Sequence, residues 1–97
     1  MTVAERFLKY IAVDTTSDPS SETFPSTKSQ IDFANMLAEE MKTMGLENVT
    51  VDSYGYVFGT IPSTIDDYQG KILGFISHMD TSCAEYGKNI RPRIIKD

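Results

Sequence analysis

Cysteine is almost missing from this chain, with Cys83 alone among 97 residues. An intrachain disulfide is excluded, and so is a zinc cage built from thiolates. Cys83 itself is expected as a small turn residue, not a nucleophile, and a reducing compartment suits it. Histidine is equally scarce, since His78 stands alone, and a closed zinc site needs three or four protein ligands. No apolar run approaches the ~18 residues of a membrane span. Glu5, Arg6 and Lys9 interrupt the first ten residues, which differ in this from the apolar core of a signal peptide. A cytoplasmic location and no membrane partner are the resulting expectations. Basic charge is also short: nine lysines and arginines face fourteen acidic residues, a net charge of −5. Nucleic acids and anionic membranes are bound through clustered Lys and Arg, so neither is expected as a partner. Internal repeats, Gly-rich phosphate loops and Gly-x-Ser-x-Gly elbows are absent as well.

What remains is ordinary globular material, 40% apolar and 24% charged. One small domain is expected, burying about 60–65% of the surface its unfolded chain exposes. Thr2-Val3-Ala4-Glu5 has the Thr-x-x-Glu spacing of a capping box and predicts a helix to about Val13, with Val3, Phe7, Tyr10 and Ile11 on its core face. Asp14 to Ser26 is rich in Asp, Thr, Ser and Pro and reads as a loop. Thr27-Lys28-Ser29-Gln30 repeats the capping pattern ahead of a second helix to about Met44, whose inner stripe is Ile31, Ala34, Leu37 or Ala38, Met41 and Met44. Gly45 is placed to end it in the left-handed conformation. Val49 and Val51 alternate with polar residues, Tyr54-Gly55 offers turn chemistry, and Tyr56 to Ile61 reads as the second arm of a hairpin closed by Pro62. Asp66 and Asp67 are expected as solvated surface in the loop that follows.

The organising stretch is Lys71 to Thr81, an apolar run bounded by Gly70 that reads as a short buried strand and ends on His78-Met79-Asp80. In extended backbone positions i and i+2 share a face, so His78 and Asp80 leave the strand together, within hydrogen-bond reach. A carboxylate on one imidazole nitrogen fixes the tautomer and raises the basicity of the other, which suits a metal ligand. In open α/β sheets such strand ends are where ligands bind. The residues from Ser82 onward lack a terminal cap, so the architecture is expected to continue past Asp97.

Taken together, Glu5-Arg6-Phe7-Leu8-Lys9-Tyr10, Val13-Asp14-Thr15, Ser21-Glu22-Thr23-Phe24-Pro25-Ser26-Thr27, Gly74 to Ser82 and Gly87-Lys88-Asn89 closely resemble the amino-terminal part of the peptidase T family of dizinc exopeptidases. His-x-Asp alone marks only the broad group; the Glu-Thr-x-Pro-Ser-Thr and Gly-Lys-Asn segments point to this branch. The resemblance implies an α/β fold, part of a mixed-sheet catalytic domain with helices on both faces, of which residues 1–97 hold two helices and about three strands. It implies a zinc aminopeptidase that releases the N-terminal residue from tripeptides, with two Zn2+ ions in each full-length subunit. His78 is then a ligand of one zinc, and Asp80 is the catalytic-site carboxylate that orients it. In that family a bridging carboxylate and a water join the ions, and a glutamate takes the water's proton. Those groups and a lid domain are expected beyond Asp97, and Glu85 matches none of them. Small peptides are the implied partners, and homo-oligomerisation stays open. A sister dizinc exopeptidase or deacylase, or a non-catalytic module, are the alternatives, and the 97 residues alone are expected to be inactive.

Overall fold

The computed structural model describes Met1–Lys96. It is an α/β arrangement of two helices followed by a two-stranded antiparallel sheet, in the order α1 (Val3–Ile11), α2 (Lys28–Thr43), β1 (Glu47–Val51) and β2 (Val57–Thr60).

Helix α1 starts on the predicted box. The Thr2 hydroxyl accepts from the Glu5 N–H at 3.1 Å, and the Glu5 carboxylate accepts from the Thr2 N–H at 2.6 Å. Its expected core stripe is only half used: Tyr10 and Ile11 are half-buried, whereas Val3 and Phe7 are 84% and 60% exposed. An amphipathic face is buried only where another layer meets it, and α1 meets α2 through its last two turns. There the Tyr10 ring packs edge-on against Phe33, centroids 5.6 Å apart and planes at 80°. Glu40, 10% exposed, gathers Arg6 Nε at 3.2 Å, Lys9 Nζ at 3.4 Å and the Tyr10 hydroxyl, which donates to it. These donors hold the Glu40 carboxyl below its usual range, the Tyr10 bond most of all. Burial, with the Glu40 bond and charge behind it, pushes Tyr10 up to about 12.

Helix α2 corrects the second capping expectation. Thr27 occupies the cap position, yet its hydroxyl caps no helix N–H. It donates to the Thr16 carbonyl at 3.0 Å and accepts from Gln30 Nε2 at 2.9 Å, so the side chain ties the loop to the helix. The core consists of Phe33, Ala34 and Ala38; Phe33 lies off the predicted stripe, and Met44, on it, is 54% exposed. Gly45 ends the helix as expected, at φ +89°. Leu46 N–H reaches the Met41 carbonyl at 3.1 Å and Gly45 N–H reaches that of Lys42 at 3.0 Å, the paired bonds of a Schellman motif. Leu46 and Met41 then lie over Gly59, where a Cβ would meet them at 3.0 and 3.1 Å. The cap therefore also seats the hairpin on α2.

The hairpin forms as predicted, with its second arm trimmed to β2. Its register pairs Val51 with Val57 and Thr50 with Phe58, and shifts between Glu47 and Thr50, where Asn48 takes φ +51°. Such a bulge adds a residue to one strand and sharpens the twist. The turn is held by Asp52, whose Oδ1 accepts from the Tyr54 and Tyr56 N–H groups, both at 2.9 Å.

The strand expected over Lys71 to Thr81 is absent among the described residues. The stretch takes no regular structure beyond one parallel bridge, Thr16 to Thr81. Ile72, Phe75 and Ile76 are 95%, 90% and 101% exposed. A strand exists by cross-strand hydrogen bonds, and a parallel one needs a partner distant in sequence; none lies beside Ile72–Ile76. The third strand, the mixed sheet and the helices on both faces are thus not formed by residues 1–96, and the expected burial is not reached. The accessible surface is 8415 Å², against about 5,500 Å² for a compact chain of this size. The radius of gyration is 16.1 Å, against about 12.5 Å.

Candidate functional site

The parallel bridge brings the loop after α1 alongside the segment that carries His78. Thr81 N–H donates to the Thr15 carbonyl at 3.1 Å, and the Ser17 N–H and hydroxyl both donate to the Thr81 carbonyl, at 2.9 and 3.0 Å. Two positions before Thr81, the Met79 carbonyl accepts from the Thr15 hydroxyl at 2.9 Å. Thr15 is 3% exposed.

Gly87-Lys88-Asn89 closes on the same loop. Asp14 Oδ1 accepts from the Thr16 N–H at 3.0 Å and from the Thr16 hydroxyl. Those two bonds, hydroxyl first, and then the charge of Lys88, hold the Asp14 carboxyl below its ordinary range. Gly87 sits so near that a Cβ would run into the Thr16 hydroxyl and lie 2.9 Å from Asp14 Oδ1 and 3.1 Å from the Thr81 hydroxyl. A side chain is excluded by contact, not by backbone conformation. Three stretches far apart in sequence therefore meet at one corner: Asp14–Ser17, Met79–Thr81 and Gly87–Lys88.

On that corner His78 and Asp80 stand together as the i, i+2 spacing predicts, with His78 Nδ1 2.9 Å from Asp80 Oδ1. An ionised carboxylate only accepts, so a neutral imidazole in this bond carries its proton on Nδ1 and leaves the Nε2 lone pair free. The imidazole is 83% exposed and the carboxylate 44%. Both border an apolar cleft of about 1400 Å³ that runs between this segment and the helices and hairpin, with Tyr10, Phe33, Phe58 and Phe75 among its walls. A zinc ion can be tested against these donors. One imidazole with a free nitrogen and a carboxylate fixing its tautomer fits as one arm of a zinc site. Among the described residues no third His, Cys, Asp or Glu converges with them.

Cys83 is exposed, as expected in a turn, which the Glu85 N–H closes onto the Ser82 carbonyl at 3.4 Å. Asp66 and Asp67 are exposed, as is Glu85. Thr15 and Gly87 are corner residues that periodicity and spacing do not reveal. A threonine in a polar loop carries no sign of burial, and a glycine carries no sign of what approaches it.

No protein-family model matches the chain. Curated relatives do match, along nearly all of it. A protein named Peptidase T from Halothermothrix orenii is 47% identical over 95 residues, 98% of this chain and 23% of the relative. Peptidase T of Alkaliphilus oremlandii is 47% identical over 96 residues, 98% of this chain and 24% of the relative. That of Clostridium botulinum is 52% identical over 94 residues, 97% and 23%. Over that stretch the chain is a homologue of peptidase T. It spans about a quarter of the length of the peptidase T relatives it matches. The two donors at the corner are therefore counted within a quarter of a peptidase T length.

Proposed function

We propose that the chain is part of the catalytic domain of a zinc-dependent aminopeptidase that, in its full-length form, releases the N-terminal residue from tripeptides. The observation that carries this is the His78–Asp80 contact at 2.9 Å, in a chain 47–52% identical to proteins named Peptidase T. His78 would hold one of two zinc ions through Nε2, and Asp80 would keep the ring oriented and basic by accepting from Nδ1. When bound, the metal supplies Lewis acidity and lowers the pKa of water. The chain's own contribution is positional: the loop at Asp14–Ser17 fixes the backbone on which the imidazole and carboxylate are mounted. The remaining donors and the general base belong to the larger part of the peptidase T length that these residues do not span. The same larger part would convert the open Lys71–Thr81 stretch into a strand of a mixed sheet covered by helices on both faces. An exposed, unpaired Cys83 supports a reducing, cytoplasmic setting.

The test is made on the full-length protein with His78→Ala, measuring zinc content beside tripeptide turnover. The variant should lose zinc and most of the activity. Wild-type zinc and rate in H78A would overturn the reading, as would turnover of N-acylated amino acids in place of tripeptides by the wild type.

A further inference from the structure

We infer that Thr15 is a positioning residue for the His78–Asp80 pair, acting through the Met79 carbonyl; this rests on the zinc-site reading above. Thr15 and Gln30 are the two buried polar residues among those described. Gln30 spends its amide on Ser26 and Thr27, at the start of its own helix. Thr15 reaches across 64 positions of sequence to the segment between the two site residues.

The geometry of that reach is specific. A peptide unit is planar, so the two planes flanking an α-carbon set its φ and ψ. The plane before Asp80 carries the Met79 carbonyl, and the plane after it carries the Thr81 N–H. Thr15 holds both, the first with its hydroxyl at 2.9 Å and the second with its own carbonyl at 3.1 Å. One residue thereby fixes the backbone of Asp80 on both sides. The Asp80 carboxylate in turn fixes His78 Nδ1. In a regular parallel ladder the Met79 carbonyl would be served by a backbone N–H of the neighbouring strand; here a side-chain hydroxyl makes that bond. The bridge bonds are made by backbone groups that every residue at position 15 carries, whereas this one is lost with the hydroxyl. That makes the hydroxyl, separately from the fold of the loop, the group that sets the aim of the imidazole.

The experiment uses the full-length protein and reads zinc affinity by competition with a chelator, beside tripeptide kcat and KM. Thr15→Val keeps the β-branched shape and removes the hydroxyl. It should weaken zinc binding about 10-fold, the lower end for a group that orients a ligand through another residue, and should lower kcat more than it raises KM. Thr15→Ser should restore wild-type zinc affinity. The pair T15A and T15S, which differ only in the hydroxyl, gives the same comparison independently of the γ-methyl if T15V fails to fold. In a double-mutant cycle T15V/H78A should bind zinc no more weakly than H78A, because Thr15 acts through the imidazole. Wild-type zinc affinity in both T15V and T15A, a T15S as weak as T15A, or an additive T15V effect on top of H78A would each overturn the inference. An H78A that retains full zinc would instead overturn the zinc-site reading, so the two failures are told apart.

Discussion

Ala34 in the first 60 residues is fully buried, while Ile76 in the remainder is as exposed as in an extended peptide. Both segments carry apolar side chains, yet among the described residues all regular structure lies before Pro62. The difference lies in how far each segment must reach for its partners. A helix satisfies its own backbone within four residues, and a hairpin pairs neighbours through a short turn. The Lys71–Thr81 stretch has the composition of a parallel strand, whose partners come only through a long crossover. It finds one bridge, at Thr16. Apolar content thus produces buried structure where closure is local. Where closure is not local, the same content remains an exposed extended segment.

The sharpest way to break the contrast is to remove the anchor of the ordered part. Phe33→Ala should cost about 3–5 kcal/mol, since Phe33 is the largest buried apolar side chain among the described residues and also the platform for Tyr10. Urea denaturation should show the lower midpoint, and an unchanged midpoint would mean that α1 and α2 are not joined through this ring. A smaller effect is expected where the two regions touch. Gly87→Ala forces a methyl into Thr16 and Asp14 and should cost about 1–3 kcal/mol by overpacking. Hydrogen exchange should quicken at the Thr81 and Ser17 amides and not in α2. Equal loosening everywhere would contradict a local corner.

Next comes the Glu40 cluster, whose sign is set by charge. The Glu40 carboxyl lies below its usual range in the folded chain, so its stabilisation is present above the unfolded glutamate pKa and fades as pH falls through the lower folded value. Tyr10 is displaced upward, to about 12, so its contribution is complete below the ordinary tyrosine pKa and is lost as pH rises through that folded value. Docking of α1 should therefore be constant across neutral pH and weaken at both extremes. Glu40→Gln should cost about 1–2 kcal/mol at neutral pH and abolish the acid limb; a persistent acid limb would assign it to other carboxyls. The smallest effect is expected in the open segment. Ile76→Ser in the 97-residue chain should change stability by less than about 0.5 kcal/mol, while the same change in the full-length protein should cost about 2–5 kcal/mol if the segment becomes a buried strand. Equal small effects in both would show that Ile76 stays exposed in the larger protein.

Much of the local structure was legible from spacing. Thr2 and Glu5 announce the first helix, Gly45 ends the second, and Tyr54-Gly55 turns the hairpin, because each rests on hydrogen bonds between residues a few positions apart. The His78–Asp80 contact was legible for the same reason, as an i, i+2 pair on extended backbone. Phe33 was not, since the stripe through Ile31, Ala34 and Ala38 faces one neighbour while Phe33 turns to another, Tyr10 on α1. Thr27 reads as a cap and serves as a tether, because the Thr16 carbonyl competes for its hydroxyl.

By itself the sequence determined the elements whose hydrogen bonds close within a few residues, together with the pairing of one imidazole with one carboxylate. Tertiary structure decided which apolar faces are covered, that Lys71–Thr81 stays open, and that Thr15, Thr81 and Gly87 share a corner. The corner joins segments more than 60 positions apart in sequence. A chain records what each residue can bond to, and only folding decides which of those partners comes within reach.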